Sequence, residues 1–205
     1  MSDRKAHWEQ VYAGKSPEET SWYQKVPELS LRLIRNTGAS HASPIIDIGG
    51  GASTLVENLL DEGYRKLSVL DISSKALAYA QDRLGERAEQ VQWIAADVTE
   101  FAASQPFMVW HDRAVFHFLT DAGDRRKYAD VLKRALVPSG HLILAAFAIG
   151  GPTKCSGLDI VQYDSEKLLK ELGNGFLLAE EAAEVHVTPA GKEQKFAYFR
   201  LVRQA

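Results

Sequence analysis

The chain has 205 residues, 45% of them apolar and 25% charged, with a formal net charge of −3 and a pI near 6.1. That length suits one globular domain with a three-layer core, residues 1–205, and the charge balance lacks the basic footprint of a nucleic-acid binder. No apolar run approaches the ~20 residues of a membrane span, and a single cysteine excludes an intramolecular disulfide. The polar start has no apolar signal-peptide core, so a cytoplasmic location is expected. Arg125-Arg126-Lys127, the one basic triplet, reads as a solvated helix face.

Residues 3–12 read as a short amphipathic helix, with Trp8, Val11 and Tyr12 at helical spacing, and residues 13–20 as a polar loop around Gly14 and Pro17. Pro27-Glu28 opens a second helix, stopped at Gly38. A strand over about 44–48 enters a glycine turn, and Ser53 or Thr54 begins the next helix. A second strand covers about 66–71, with Ser73 or Ser74 capping a helix that runs to Leu84. The third strand is 91–95 and the fourth about 107–111; a helix from Asp121 to Leu136 leads to a fifth strand over 141–147. Residues 147–163 form a glycine-rich excursion with little periodic pattern. The chain then changes rhythm: 176–189 and 194–202 are strand-like and joined by a hairpin-length loop. This order predicts an α/β three-layer sandwich, a mostly parallel doubly wound sheet with a C-terminal antiparallel hairpin.

The most informative stretch is Pro44-Ile45-Ile46-Asp47-Ile48-Gly49-Gly50-Gly51-Ala52-Ser53, followed one helix later by Leu67-Ser68-Val69-Leu70-Asp71. This is a nucleotide-binding βαβ pattern: glycines admit a ligand close to the backbone, and the helix start offers free amides. Asp71, at the end of the second strand, can accept hydrogen bonds from both ribose hydroxyls. Asp47 sits where dinucleotide fingerprints carry an apolar residue, since a pyrophosphate nearby repels anions. A carboxylate there suits a cationic ligand, which favours S-adenosylmethionine over NAD. No His/Cys/Asp/Glu spacing suggests a metal site.

These motifs resemble the class I S-adenosylmethionine-dependent methyltransferases. Further matches are Ala96-Asp97-Val98 after the third strand, Val115-Phe116-His117-Phe118-Leu119 after the fourth, and Leu136-Val137-Pro138-Ser139-Gly140-His141-Leu142 before the fifth. The likeness covers roughly residues 20–205 and departs at Ser53, where the family has a third glycine, and at Met108, where it often has an acid. It implies a cofactor site made by Asp47, Gly49, Gly50, Gly51 and Ser53, with Asp71 on the ribose, Ile72 on one adenine face, Asp97 near the adenine amino group and Val98 at the ring edge. Residues 1–38 would be an N-terminal helical cap, from which Trp22 and Tyr23 close over the cofactor.

The acceptor side is less determined. His111 could take a proton from an acceptor thiol, amine or hydroxyl, or simply line the cofactor site while Asp112 and Arg113 form an ion pair. His117 reads as packed under the sheet edge, and Cys155 as loop structure or a substrate contact. Residues 13–24 and 148–160 are expected to border the methyl group as lid and floor. The expected activity is methyl transfer to an S, N or O atom of a small molecule. A protein lysine methyltransferase, a nicotinamide-dependent oxidoreductase and a non-catalytic cofactor-binding module are the rivals.

Overall fold

A computed structural model describes residues 3–14 and 16–204. Strands β1 (Ile45–Ile48), β2 (Leu67–Asp71), β3 (Val91–Ala95), β4 (Phe107–Arg113), β5 (Leu136–Phe147), β8 (Phe176–Val187) and β9 (Glu193–Arg203) form one seven-stranded sheet in the order β3-β2-β1-β4-β5-β9-β8. β3 to β5 pair in parallel, and β9 joins β5 and β8 antiparallel. A two-residue ribbon, β6 (Lys154–Cys155) with β7 (Leu158–Asp159), stands apart from the sheet. The expected mixed α/β sheet with a terminal hairpin is therefore the fold.

Every residue of β1 and β2 is buried, as a central parallel strand covered on both faces requires. Helices α1 (Asp3–Gly14), α2 (Glu28–Arg35), α3 (Leu55–Asp61), α4 (Ser74–Leu84), α5 (Ala122–Ala135) and α6 (Ser165–Leu172) complete the described chain. Ser73 caps α4 by accepting from Ala76 N, and Asp121 caps α5 by accepting from Gly123 N and Asp124 N. One core cluster joins Trp110, Tyr128, Leu132 and Phe199; the other joins Leu33, Ile34, Leu55, Val69 and Phe196.

Five segments differ from the sequence reading. β4 runs on to Arg113, so His111 and Asp112 lie within the strand instead of leaving it. Their side chains are polar yet buried, each satisfied by a partner across a sheet face, which an apolar-run criterion misses. β5 starts at Leu136, with a register shift against β4 between Phe107 and Val109. Helix α6 was not foreseen, although Asp164 caps it by accepting from Lys167 N and Leu168 and Leu172 fill one buried face. The 13–24 segment holds a 3₁₀ turn at Pro17–Glu19, and the 147–163 excursion holds the β6–β7 ribbon; Lys15 lies outside the described residues.

The chain builds β2 and β3 on one side of β1, then β4 and β5 on the other. The β1/β4 boundary is thus the point where strand order reverses, and a cleft opens there beyond the strand carboxyl ends.

Candidate active site

Two cavities occupy this cleft and share Tyr12, Trp22, Ile48, Gly49 and Arg113. The first is lined by Asp71, Ile72, Asp97, Val98 and Val115, with Phe118 and Cys155 at its far side. The second is lined by Asp47, Gly50, Ser53, Tyr23, Ser30 and His111. All but one of the twelve candidate cofactor-site residues border one cavity or both.

Gly51 is the exception, and its reason is packing. A Cβ there would lie 2.6 Å from Ala76 Cβ and 2.8 Å from Asp71 Oδ2, so the missing side chain lets α4 and Asp71 close on the turn. Its amide donates to Asp71 Oδ2 at 3.1 Å, while Ser73 N donates to Asp71 Oδ1 at 2.8 Å. Gly49 is needed for conformation as well as space. Its φ is +68°, and a Cβ would run into the Val115 side chain.

Asp71 is buried, which pushes its carboxyl up to about 6 despite the two amide bonds. Each oxygen keeps a second lone pair, so the loop bonds do not prevent it from accepting ribose hydroxyls. Asp97 lines the first cavity beside Ile72 and Val98, and its carboxylate also has partners within the chain. Its Oδ1 accepts from Thr99 N and Oγ1, and its Oδ2 accepts from Arg4 Nη1 at 3.1 Å. Arg4 also bonds Asp124 Oδ2 at 2.5 Å, tying α1 across the first cavity. No local pattern could announce a pair 93 residues apart.

His111 faces Asp47, its partner in the parallel β1/β4 register. Its Nδ1 lies 2.7 Å from Asp47 Oδ1 and its Nε2 2.9 Å from Ser30 Oγ, and the residue is 2% exposed. Both ring nitrogens are thus engaged within the chain. Asp112, on the opposite face, accepts from Tyr128 Oη and from the amides of Val115 and Phe116. It makes no pair with Arg113, and burial pushes it up to about 6. Arg113 instead donates through Nε to Tyr198 Oη at 2.8 Å and through Nη1 to the Trp22 carbonyl at 3.0 Å, and lies 4.6 Å over the Phe196 ring.

That bond helps to hold residues 21–24 across the junction of the cavities. His186 Nε2 donates to Ser21 O, Thr54 Oγ1 donates to Gln24 O, and the Gln24 amide donates to Glu184 Oε1. Trp22 packs edge-on against both Trp8 and Tyr12, and Trp8 edge-on against Phe118, making an aromatic wall. Cys155 is held neutral because burial pushes its thiol up, and burial pushes the Tyr12 phenol far up. His117 is fully buried and lines neither cavity.

The buried Oδ2 of Asp47 has no hydrogen-bond partner. A buried carboxylate oxygen left open is costly unless a cation or donor meets it, so this end of the cleft suits an ammonium and rejects a phosphate. Together with Asp71 at the other end, the chemistry fits S-adenosylmethionine, a nucleoside joined to a cationic amino-acid chain.

A doubly wound sheet with a carboxylate at each end of its switch-point cleft defines a nucleoside-binding protein. A profile described as a methyltransferase domain matches residues 45–140. Nodulation protein S of Sinorhizobium fredii is 29% identical over 116 residues, covering 57% of this chain and 52% of that protein. The eEF1A lysine and N-terminal methyltransferase of Danio rerio is 25% identical over 150 residues, 73% of this chain and 20% of that protein. The matches to nodulation protein S thus span about half of that protein's length. Among solved structures, the N-methyltransferase NodS from Bradyrhizobium japonicum WM9 in complex with S-adenosyl-L-homocysteine superposes with a TM-score of 0.69 at 21% identity, over 94% of this chain and 97% of that one. The glycopeptide N-methyltransferase MtfA complexed with S-adenosyl-L-methionine gives 0.69 at 16% identity, over 92% and 99%. Over residues 45–140 the chain is thus similar to a methyltransferase domain, and its fold is the one shared by NodS and MtfA.

Proposed function

We propose that the protein is an enzyme that binds S-adenosylmethionine across the two joined cavities and methylates a nitrogen atom of a small molecule. The reading treats the whole chain as one working domain, with residues 1–38 as its cap, acting in the cytoplasm. Asp71, Ile72 and Val98 hold the nucleoside in the first cavity, and Asp47 with Gly49 and Gly50 holds the amino-acid end in the second. When bound, the cofactor supplies an electrophilic methyl on a sulfonium, which becomes a neutral thioether once the methyl is lost. Trp22 and Tyr12, shared by both cavities, cover the junction and exclude water.

The observation that supports nitrogen over sulfur or oxygen is the commitment of His111, Asp71, Cys155 and Tyr12. His111 is hydrogen-bonded at both nitrogens, Asp71 is engaged by two loop amides, and burial holds Cys155 and Tyr12 in their protonated forms. A hydroxyl must lose its proton to react, and a thiol reacts as the thiolate. An uncharged amine or ring nitrogen brings its own lone pair, so alignment against the aromatic wall suffices. The names of NodS and MtfA as N-methyltransferases agree with this choice. A protein amine is the second reading, suggested by the Danio rerio relative's name. The oxidoreductase rival is disfavoured by the open Asp47 oxygen, which would face a dinucleotide's phosphates.

The test is methyl transfer from labelled S-adenosylmethionine to a panel of small amines, heteroaromatic nitrogens, thiols, phenols and a lysine peptide. Turnover should appear with small nitrogen acceptors and should fall as pH drops below the acceptor's own pKa. Turnover confined to thiols, phenols or the peptide would overturn the reading, and no turnover with any class would favour a non-catalytic binding module.

A further inference from the structure

We propose that Ser30 and His111 are positioning residues for the cofactor's amino-acid end, acting through Asp47. The inference rests on the assignment of the second cavity to that end. Parallel pairing sets Asp47 and His111 opposite each other, so their side chains leave the sheet on the same face. A carboxylate only accepts, so the 2.7 Å contact places the imidazole proton on Nδ1. Nε2 meets Ser30 Oγ at 2.9 Å.

Ser30 stands in the first turn of α2, 1% exposed, facing the same sheet face. The three groups form a hydrogen-bonded chain of hydroxyl, imidazole and carboxylate. Its effect is to tie one Asp47 oxygen and leave the other, Oδ2, buried without a partner. Oδ2 is fixed against the turn, where any Cβ on Gly50 would overlap it. Asp71 has no such asymmetry, since loop amides engage both of its oxygens. Among the described residues, Asp47 Oδ2 is the one buried carboxylate oxygen with no donor. A carboxylate held in one rotamer with one free oxygen is preorganised for a single ammonium; released from His111, it can turn and lose that aim.

The experiment compares two ligands by calorimetry. S-adenosylhomocysteine carries both halves, whereas 5′-methylthioadenosine keeps the nucleoside and sulfur but lacks the amino acid. His111→Leu should weaken S-adenosylhomocysteine binding about tenfold to a hundredfold and leave 5′-methylthioadenosine within about twofold. His111→Asn, whose side-chain amide can replace the Nδ1 donor, should recover most of the loss. Ser30→Ala should show a smaller loss with the same ligand selectivity. Unchanged S-adenosylhomocysteine affinity in His111→Leu, or equal losses for both ligands, would overturn the proposal, the latter by showing that the ring only packs the core. Failure of the unsubstituted protein to bind S-adenosylhomocysteine would instead strike at the cofactor assignment itself.

Discussion

His117 should make the protein sensitive to acid, and a single substitution should remove that sensitivity. The ring is fully buried, with neither nitrogen hydrogen-bonded, and packs against Phe118 and Phe147 at centroid distances of 4.4 and 5.0 Å. Burial, aided by the Arg113 charge, lowers it from the ordinary 6.5 to about 3. Between those values the unfolded chain binds a proton that the folded chain refuses, so stability is full above 6.5 and falls as pH drops toward 3. At pH ~5 the loss amounts to about 2 kcal/mol. Asp71 and Asp112, both raised to about 6 by burial, act in the opposite sense, each favouring the folded state as pH falls through 6. A comparison with His117→Leu cancels their contribution. At pH ~7.5 the variant should unfold in urea within about 1 kcal/mol of the parent, since it removes polar atoms that had no partner. At pH ~5 it should be the more stable of the two by about 2 kcal/mol relative to that baseline. Parallel pH profiles for the two proteins would refute the reasoning and show that the ring charges without cost in the folded state.

Further outcomes follow from the cavity walls. Asp71→Ala should weaken S-adenosylhomocysteine and 5′-methylthioadenosine alike, about tenfold to a hundredfold by calorimetry, because both carry the ribose. In the parent, affinity for both should weaken as pH falls through about 6, where the buried Asp71 carboxyl takes up a proton and loses strength as an acceptor. Gly49→Ala should displace the turn, because its φ of +68° and the collision with Val115 leave no room for a side chain, read as lost binding and a lower unfolding midpoint. Cys155, buried and protonated, should label slowly with a thiol reagent in the folded protein and rapidly in denaturant, and bound S-adenosylhomocysteine should slow it further.

Much of the architecture could be read before any coordinates. The apolar run into Asp47 and the glycines, the strand ending at Asp71, the Ser73 cap and the terminal hairpin are local patterns, and the fold places them as their periodicity implies. What stayed hidden depends on pairing. His111 and Asp112 look like a polar strand exit until the β1/β4 register sets one against Asp47 and α5 brings Tyr128 to the other. Arg4 and Asp97, or Arg113 and the Trp22 carbonyl, meet only because distant segments close over the same cleft. Helix α6 did have a signal, Asp164 before Leu168, Leu169 and Leu172, in a stretch to which no element was assigned. Gly51 shows a subtler limit: its spacing reads as ligand approach, while its neighbours are Ala76 and Asp71.

The most direct test of the cofactor arrangement is a crystal structure with S-adenosylhomocysteine bound. The ribose hydroxyls should lie within hydrogen-bond distance of Asp71, and the ammonium should meet Asp47 Oδ2, with Trp22 over the sulfur. A nucleoside lodged in the second cavity, or an amino-acid end turned away from Asp47 toward Asp97, would contradict the account.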